Sequence, residues 1–322
     1  MRPQIQPIAL GLVAVAVVPY MVLKLLWLSG STIGMSEPAA VAEVQSTRMV
    51  VGNIVTMLLE LLAVGLAVAL TRPWGLRAPA WIVLCLAGGA TGLLAPILLG
   101  LPLGSLIQFA VRADVHTSGM DNMSPWVFAL AYGGFGLLAI AIAVLAWQYA
   151  LIRWERVLAA PPRFPSARTI TVGALGMLPF GTAMVWWGLF GPGEAGPQAM
   201  DTPSQRTALV VTGLLCIAGL MAPILGAMTQ WPRTAWLVTW VGCTTAALQG
   251  PTQLLLANGG DPTPAIALIT VLATPASCGY GLLVLRQRIL DTSTTDFDKA
   301  IEHSARDGSE SHVTLGAPRG ER

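Results

Sequence analysis

Apolar residues fall in long unbroken runs along this chain, and polar residues cluster between them. Eight runs of about 20 residues can be drawn, over 8–29, 50–71, 79–101, 126–149, 170–190, 207–228, 234–256 and 264–285. Each has the length at which an α-helix, rising 1.5 Å per residue, crosses a hydrocarbon core of roughly 30 Å. The pattern predicts an all-α fold, a polytopic membrane helical bundle of eight transmembrane helices. Residues 287–322 break the pattern: they are rich in Ser, Thr, Asp, Glu and Gly. Such a segment cannot bury a core and is expected to be a disordered cytoplasmic tail.

Composition agrees. The chain is 54% hydrophobic and 11% charged, with a mean hydropathy of +0.67, whereas a soluble domain carries about 25% charged residues. The first apolar run is longer than the 7–15 residues of a signal-peptide core, so it reads as a retained helix. Of the eighteen Lys and Arg, fourteen fall in the N-terminus, the 72–78, 150–169 and 229–233 loops and the C-terminal tail. Three, Arg48, Arg112 and Arg206, fall in the other loops, and Lys24 lies within a run. The positive-inside rule then places both termini in the cytoplasm. Tryptophans mark run ends on both sides, among them Trp74, Trp81 and Trp231 on one side and Trp27, Trp126 and Trp186 on the other. They read as interfacial anchors.

The two halves of the chain resemble each other. Pro19-Tyr20 through Trp27 aligns with Pro179-Phe180 through Trp187 at an offset of 160, and Ala80-Trp81 and Pro96 align with Ala235-Trp236 and Pro251 at 155. Four helices per half make a parallel repeat, one arrangement that transporters use. The expected organisation is a first four-helix repeat over 1–150, a second over 151–286 with 150–169 as linker, and the tail.

Candidate chemistry sits where the halves differ. Tyr20, Lys24, Trp27 and Ser31 share one face of the first helix, and Asn53, Thr56 and Glu60 share one face of the second. Their aligned positions are Phe180, Met184, Trp187 and Gly191, then Val211, Leu214 and Ala218. The seventh helix carries a polar face of Thr245, Gln249, Thr252 and Gln253. Polar groups in hydrocarbon need partners or water, so these stripes predict an outward-facing polar cavity between helices 1, 2 and 7. Its binding residues would be Lys24, Glu60, Tyr20, Trp27, Asn53, Thr56 and Gln249. The loop over 101–126 could cover it with Arg112, Asp114, His116 and Asp121. Glu37, Glu194, Asp201 and Asp261 make the outer side mildly acidic, which favours a cationic or zwitterionic guest.

Lys24 and Glu60 are the two charges placed within the membrane, where ionisable groups are costly and mark function. Lys24 lies about four residues from the outer end, within snorkelling reach of the headgroups. Glu60 is about ten residues deep, roughly 15 Å. It reads as a protonated core group, a structural partner of Lys24, or a ligand or proton site. A direct pair requires Lys24 to turn inward and is not the favoured arrangement. Gly30/Gly34 and Gly88/Gly92 have the GxxxG spacing of helix packing.

Cys85, Cys216, Cys243 and Cys278 lie in apolar runs without C-x-x-C spacing and read as packing residues. No metal or cofactor is expected, and His303 and His312 in the tail do not change that. Walker A, H-E-x-x-H and G-x-S-x-G patterns are missing from the sequence. The expected partners are the lipid bilayer and a small-molecule solute, not nucleic acid, and the sequence gives no oligomeric state.

The pattern P-Y-x-x-x-K-x-x-W-x-x-G from Pro19 to Gly30 resembles a group of uncharacterised multi-pass membrane proteins of actinobacteria. The resemblance implies a bacterial inner membrane and brings no activity or catalytic residue. The second half departs from it at Met184. The leading functional reading is a small-molecule transporter or solute-binding permease-like protein. A membrane enzyme acting on a lipid or polyprenyl substrate, with Glu60 as acid or base, and an accessory subunit stand as alternatives.

Overall fold

Without water in the hydrocarbon core, a backbone must close its own hydrogen bonds, and apolar runs of this length do so as helices. The computed structural model describes residues 5–35, 46–111, 123–160, 163–194, 196–197, 200, 202–228, 231–256 and 263–313, with the backbone alone for 5, 48, 255–256 and 291–313. Among the described residues are eight long helices: α1 (Ile5–Leu28), α2 (Thr47–Thr71), α3 (Ala80–Ala110), α4 (Pro125–Arg153), α5 (Ala167–Phe190), α6 (Pro203–Gly226), α7 (Pro232–Leu256) and α8 (Pro264–Val313). Helix starts are set by short polar side chains. Ser46, Ser166 and Thr202 accept the N–H groups of Met49, Thr169 and Gln205, and Thr202 with Gln205 completes a capping box.

Among the described residues, seven helices are long and apolar enough to cross a membrane: α1 to α6, and α8 over Pro264–Leu290. The protein is thus a multi-pass helical membrane bundle. The seventh expected span does form a helix, α7, but it is not apolar enough to join the other seven. Its packing explains how that is tolerated. From Val238 to Leu254 no residue is exposed, because α3, α6 and α8 enclose it. Thr239, Thr244 and Thr252 donate back to the carbonyls of Ala235, Trp240 and Leu248. A helix shielded from lipid can carry hydroxyls that a lipid-facing helix would not.

Two cores organise the bundle. Val13, Leu66, Leu138, Leu145 and Tyr149 centre the first, among α1 to α4. Met177, Phe180, Leu220 and Tyr280 centre the second, among α5 to α8. Helix α3 joins them by packing on α6 and α7 as well as on α4. It runs to Ala110, so the first ten residues of the expected 101–126 loop are helical. Gly88 and Gly92 serve as the GxxxG reading expects, lying against Thr244 of α7. Gly30 and Gly34 do not: both lie beyond the end of α1 with φ of 92° and 82°, where they turn the chain. Helix α2 is the most weakly embedded, with Val51, Ile54, Val55, Leu58, Leu61 and Leu62 exposed.

At the end of the bundle where α2 and α4 finish, the Tyr149 hydroxyl donates to the Gly75 carbonyl at 2.9 Å, and Arg153 donates to Tyr149 and to the Ala78 carbonyl. Arg288 holds the Val157 carbonyl. These arginines satisfy connecting backbone that would otherwise lack partners. Trp74, Trp81, Trp126, Trp186 and Trp231 are exposed, as interfacial anchors are. Trp27 and Trp187 are not anchors; both are buried. Helix α8 continues to Val313 through a stretch whose composition reads as disordered.

Candidate functional site

Side chains on an α-helix lean toward its N-terminus. Lys24 is near the C-terminal end of α1 and Glu60 is midway along antiparallel α2. Each therefore leans toward the other's level, and the gap in depth between them closes. Lys24 Nζ donates to Glu60 Oε1 at 2.6 Å. The two side chains are 1% and 4% exposed. The lysine does not snorkel: the direct pair, not the favoured arrangement from sequence, is the one that forms.

Aromatic rings complete the enclosure. The ammonium lies 4.1 Å from the centroid of the Tyr20 ring, a cation–π contact. Tyr20 stands edge-to-face to Trp27 of α1 and to Phe135 of α4, at centroid distances of 6.4 and 5.8 Å. Buried Leu23, Trp27 and Val127, with Tyr20, Met35, Met123 and Leu130 packed against them, fill the space toward the end of α1. The chain leaving α1 folds over this cluster. The Trp27 indole donates to the Ile33 carbonyl at 2.8 Å, and the Ser124 N–H donates to the Gly34 carbonyl at 2.8 Å. An antiparallel bridge joins Met35 and Met123. At φ +82° Gly34 adopts a conformation that suits glycine, and a Cβ there would collide with Val127.

Two polar atoms of the site are left over. Glu60 Oε2 and Asn53 Nδ2 are buried and have no hydrogen-bond partner among the described residues. An unpaired buried polar atom carries the full cost of its desolvation, so the site holds two costly atoms. Asn53 lies seven residues before Glu60 on the same face of α2, roughly 10 Å along the axis. Thr56, between them, is already committed: its hydroxyl donates to the Gly52 and Asn53 carbonyls.

Four of the expected residues thus come together along α1 and α2, Tyr20, Lys24, Trp27 and Glu60, while Asn53 and Thr56 lie further along the same helix as Glu60. Gln249 does not join them. Its amide donates to the Gly92 carbonyl of α3 at 2.8 Å, cross-linking α7 to α3. Helix α3 lies between: α1 packs on α2 and α4, whereas α7 packs on α3, α6 and α8. The three polar stripes therefore do not share the wall of one cavity. Sequence reasoning missed Phe135 and Val127 of α4, which pack on Tyr20 and on the Leu23–Trp27 cluster. Both are ordinary apolar residues in a membrane helix and carry no signal of their own. The covering residues Arg112, Asp114, His116 and Asp121, and the acidic residues Glu37, Asp201 and Asp261, lie outside the described residues; Glu194 is described and exposed.

Chemically, the arrangement is a buried carboxylate and ammonium, with one carboxylate oxygen still able to accept a hydrogen bond. The chain matches no protein-family model, no curated protein and no solved structure.

Proposed function

We propose that this chain is a permease-like protein of a bacterial cell membrane that binds and moves a small-molecule solute at the Lys24–Glu60 site. The observation that carries this reading is the unpaired Glu60 Oε2, buried beside a complete ion pair. If the pair served only to hold helices together, the fold would not need it. The second half has Met184, buried, where the first has Lys24, and Ala218 where the first has Glu60. Apolar replacements of a buried ion pair are often as stable as the pair itself. Charges kept at such a cost point to use.

The reading includes eight spans with both termini cytoplasmic, α7 being the interior one, and two parallel four-helix repeats. Three local features support the repeat. Ser46 and Thr202 both cap the second helix of their half. Trp27 and Trp187 are both buried near the end of the first. Gly30 and Gly191 both follow that helix with positive φ. The resemblance of the Pro19–Gly30 pattern to actinobacterial membrane proteins supports the bacterial membrane.

A packing role, as in an accessory subunit, is the second reading. It is favoured by the closure of the pair, whose two side chains are almost wholly buried. Uptake into proteoliposomes decides between them. Wild type and Glu60→Gln would be compared for a panel of labelled amines, amino acids and sugars. A solute moved by wild type well above the protein-free rate, and not by Glu60→Gln, is the expected result. Equal rates for both proteins across the panel would leave the packing role.

A further inference from the structure

We propose that Lys24 is a tethered stand-in for the solute: the cage around its ammonium is a binding site for a small organic ammonium ion, and the lysine leaves when that ion enters. The inference rests on the reading of Glu60 as a solute site and names the class of solute.

The first argument is the composition of the cage. The ammonium of Lys24 meets a carboxylate at 2.6 Å on one side and the face of Tyr20 at 4.1 Å on another. Trp27 and Phe135 brace that ring edge-on. A carboxylate together with aromatic faces is the chemistry by which proteins recognise alkylammonium groups. A site made only to fix two helices needs the carboxylate and not the rings.

The second argument is that the lysine has somewhere to go. Lys24 is four residues from the end of α1, about 6 Å along the axis, and its long stem can carry the charge to the headgroup level. The same residue thus has two solvated or paired positions, one in the cage and one at the interface. The exchange conserves charge: one monocation leaves Glu60 as another arrives, so the buried carboxylate is never left alone. Glu60 Oε2, free in the present state, offers a second acceptor to a guest with more than one N–H.

The third argument bounds the guest. The pair is almost wholly buried and Tyr20, which covers the ammonium, is itself packed on Leu23, Trp27 and Val127, so a guest takes the space that the lysine vacates. That space fits a chain of about three carbons, or a compact trimethylammonium, in line with the volume of the lysine beyond Cβ. Sugars and anions are excluded by the same cage.

Two measurements on the full-length protein in nanodiscs test this. In wild type, Lys24 should be protected from acetic anhydride. Trimethylammonium, which the reagent does not acylate, should raise Lys24 acetylation about tenfold, because a ligand that binds the lysine-out state raises its population. tert-Butanol, of similar shape and uncharged, should not. In Lys24→Ala, propylammonium restores the missing atoms and should give a saturable rise in Tm, as a ligand of the folded state does. 1-Propanol should not, and Lys24→Ala/Glu60→Ala should not respond. If Lys24→Ala fails to fold, the wild-type labelling decides alone. Lys24 acetylation unchanged by trimethylammonium overturns the proposal. Glu60-dependent flux of a solute without that displacement would end this inference and leave the transport reading standing. Displacement without any flux would do the reverse.

Discussion

Gly219 of α6 and Gly242 of α7 face each other so closely that a Cβ on either would fall on the other's Cα. Backbone meets backbone there, as it does where small residues carry helix association in lipid. Close contact on this side is part of what hides α7 from the bilayer.

Gly219→Ala is accordingly expected to cost about 1–3 kcal/mol, the range for overfilling a packed interior. Gly133→Ala is the control, since a Cβ there meets nothing within 4 Å. In mid-helix it should be neutral or gain up to about 1 kcal/mol from helix propensity. Thermal unfolding in detergent, followed by tryptophan fluorescence, separates the two. Equal Tm values would mean that the α6–α7 contact is not close.

Lys24→Met leaves Glu60 buried without a counter-charge. Breaking a buried pair in this way costs about 3–5 kcal/mol, whereas replacing both members with apolar residues is neutral or stabilising by about 1–4 kcal/mol. Lys24→Met should therefore unfold well below wild type, and Lys24→Met/Glu60→Leu should recover it. Additive losses in the double variant would contradict the 2.6 Å pair.

Gln249→Leu removes the hydrogen bond to the Gly92 carbonyl. The expected loss is about 0.5–1.5 kcal/mol of stability, together with any specificity of the α3–α7 register. Any Glu60-dependent uptake should persist at the wild-type rate per folded molecule. A selective loss of uptake would instead return Gln249 to the solute site.

Gly34→Ala places a side chain at φ +82° and against Val127. An L-residue in that region costs roughly 1–2 kcal/mol, and the loop over 29–35 should lift from Met123. A Ser31→Cys reporter, read by peptide mass spectrometry after maleimide treatment, should label faster in the Gly34→Ala background. Unchanged labelling would show that the loop keeps its place on Met123 despite the added side chain.

Sequence carried most of the architecture because hydrocarbon imposes one rule on every span. Each of the seven apolar helices falls on an expected run, and the remaining expected run, 234–256, is the less apolar helix α7. The stripe of Tyr20, Lys24 and Trp27 and that of Asn53 and Glu60 were readable from spacing alone, and their meeting follows from adjacency of the first two helices. The Lys24–Glu60 contact itself was not readable from residue depth. Depth measured at Cα ignores the opposed lean of side chains on antiparallel helices, worth several ångströms at a lysine. Gln249 was misplaced for a different reason. A period of 3.6 shows which residues share a face, but not which neighbour the face meets, and here α3 stands between the two groups. Gly30 and Gly34 had packing spacing but fell past the end of their helix, where conformation and not contact set the residue type.

The enclosure of α7 has a consequence for biogenesis. A translocon releases segments into lipid roughly by their apolar content, and one with Thr239, Thr244, Thr245, Gln249 and Gln253 along it gains little by leaving water alone. The hydroxyls of Thr239, Thr244 and Thr252 are satisfied by its own turns, and α3, α6 and α8 enclose its bulk. On the proposed eight-span reading, insertion of α7 is an act of assembly: it waits for neighbours on both sides of it in the chain, so α6, α7 and α8 would enter the bilayer as a group and not one helix at a time.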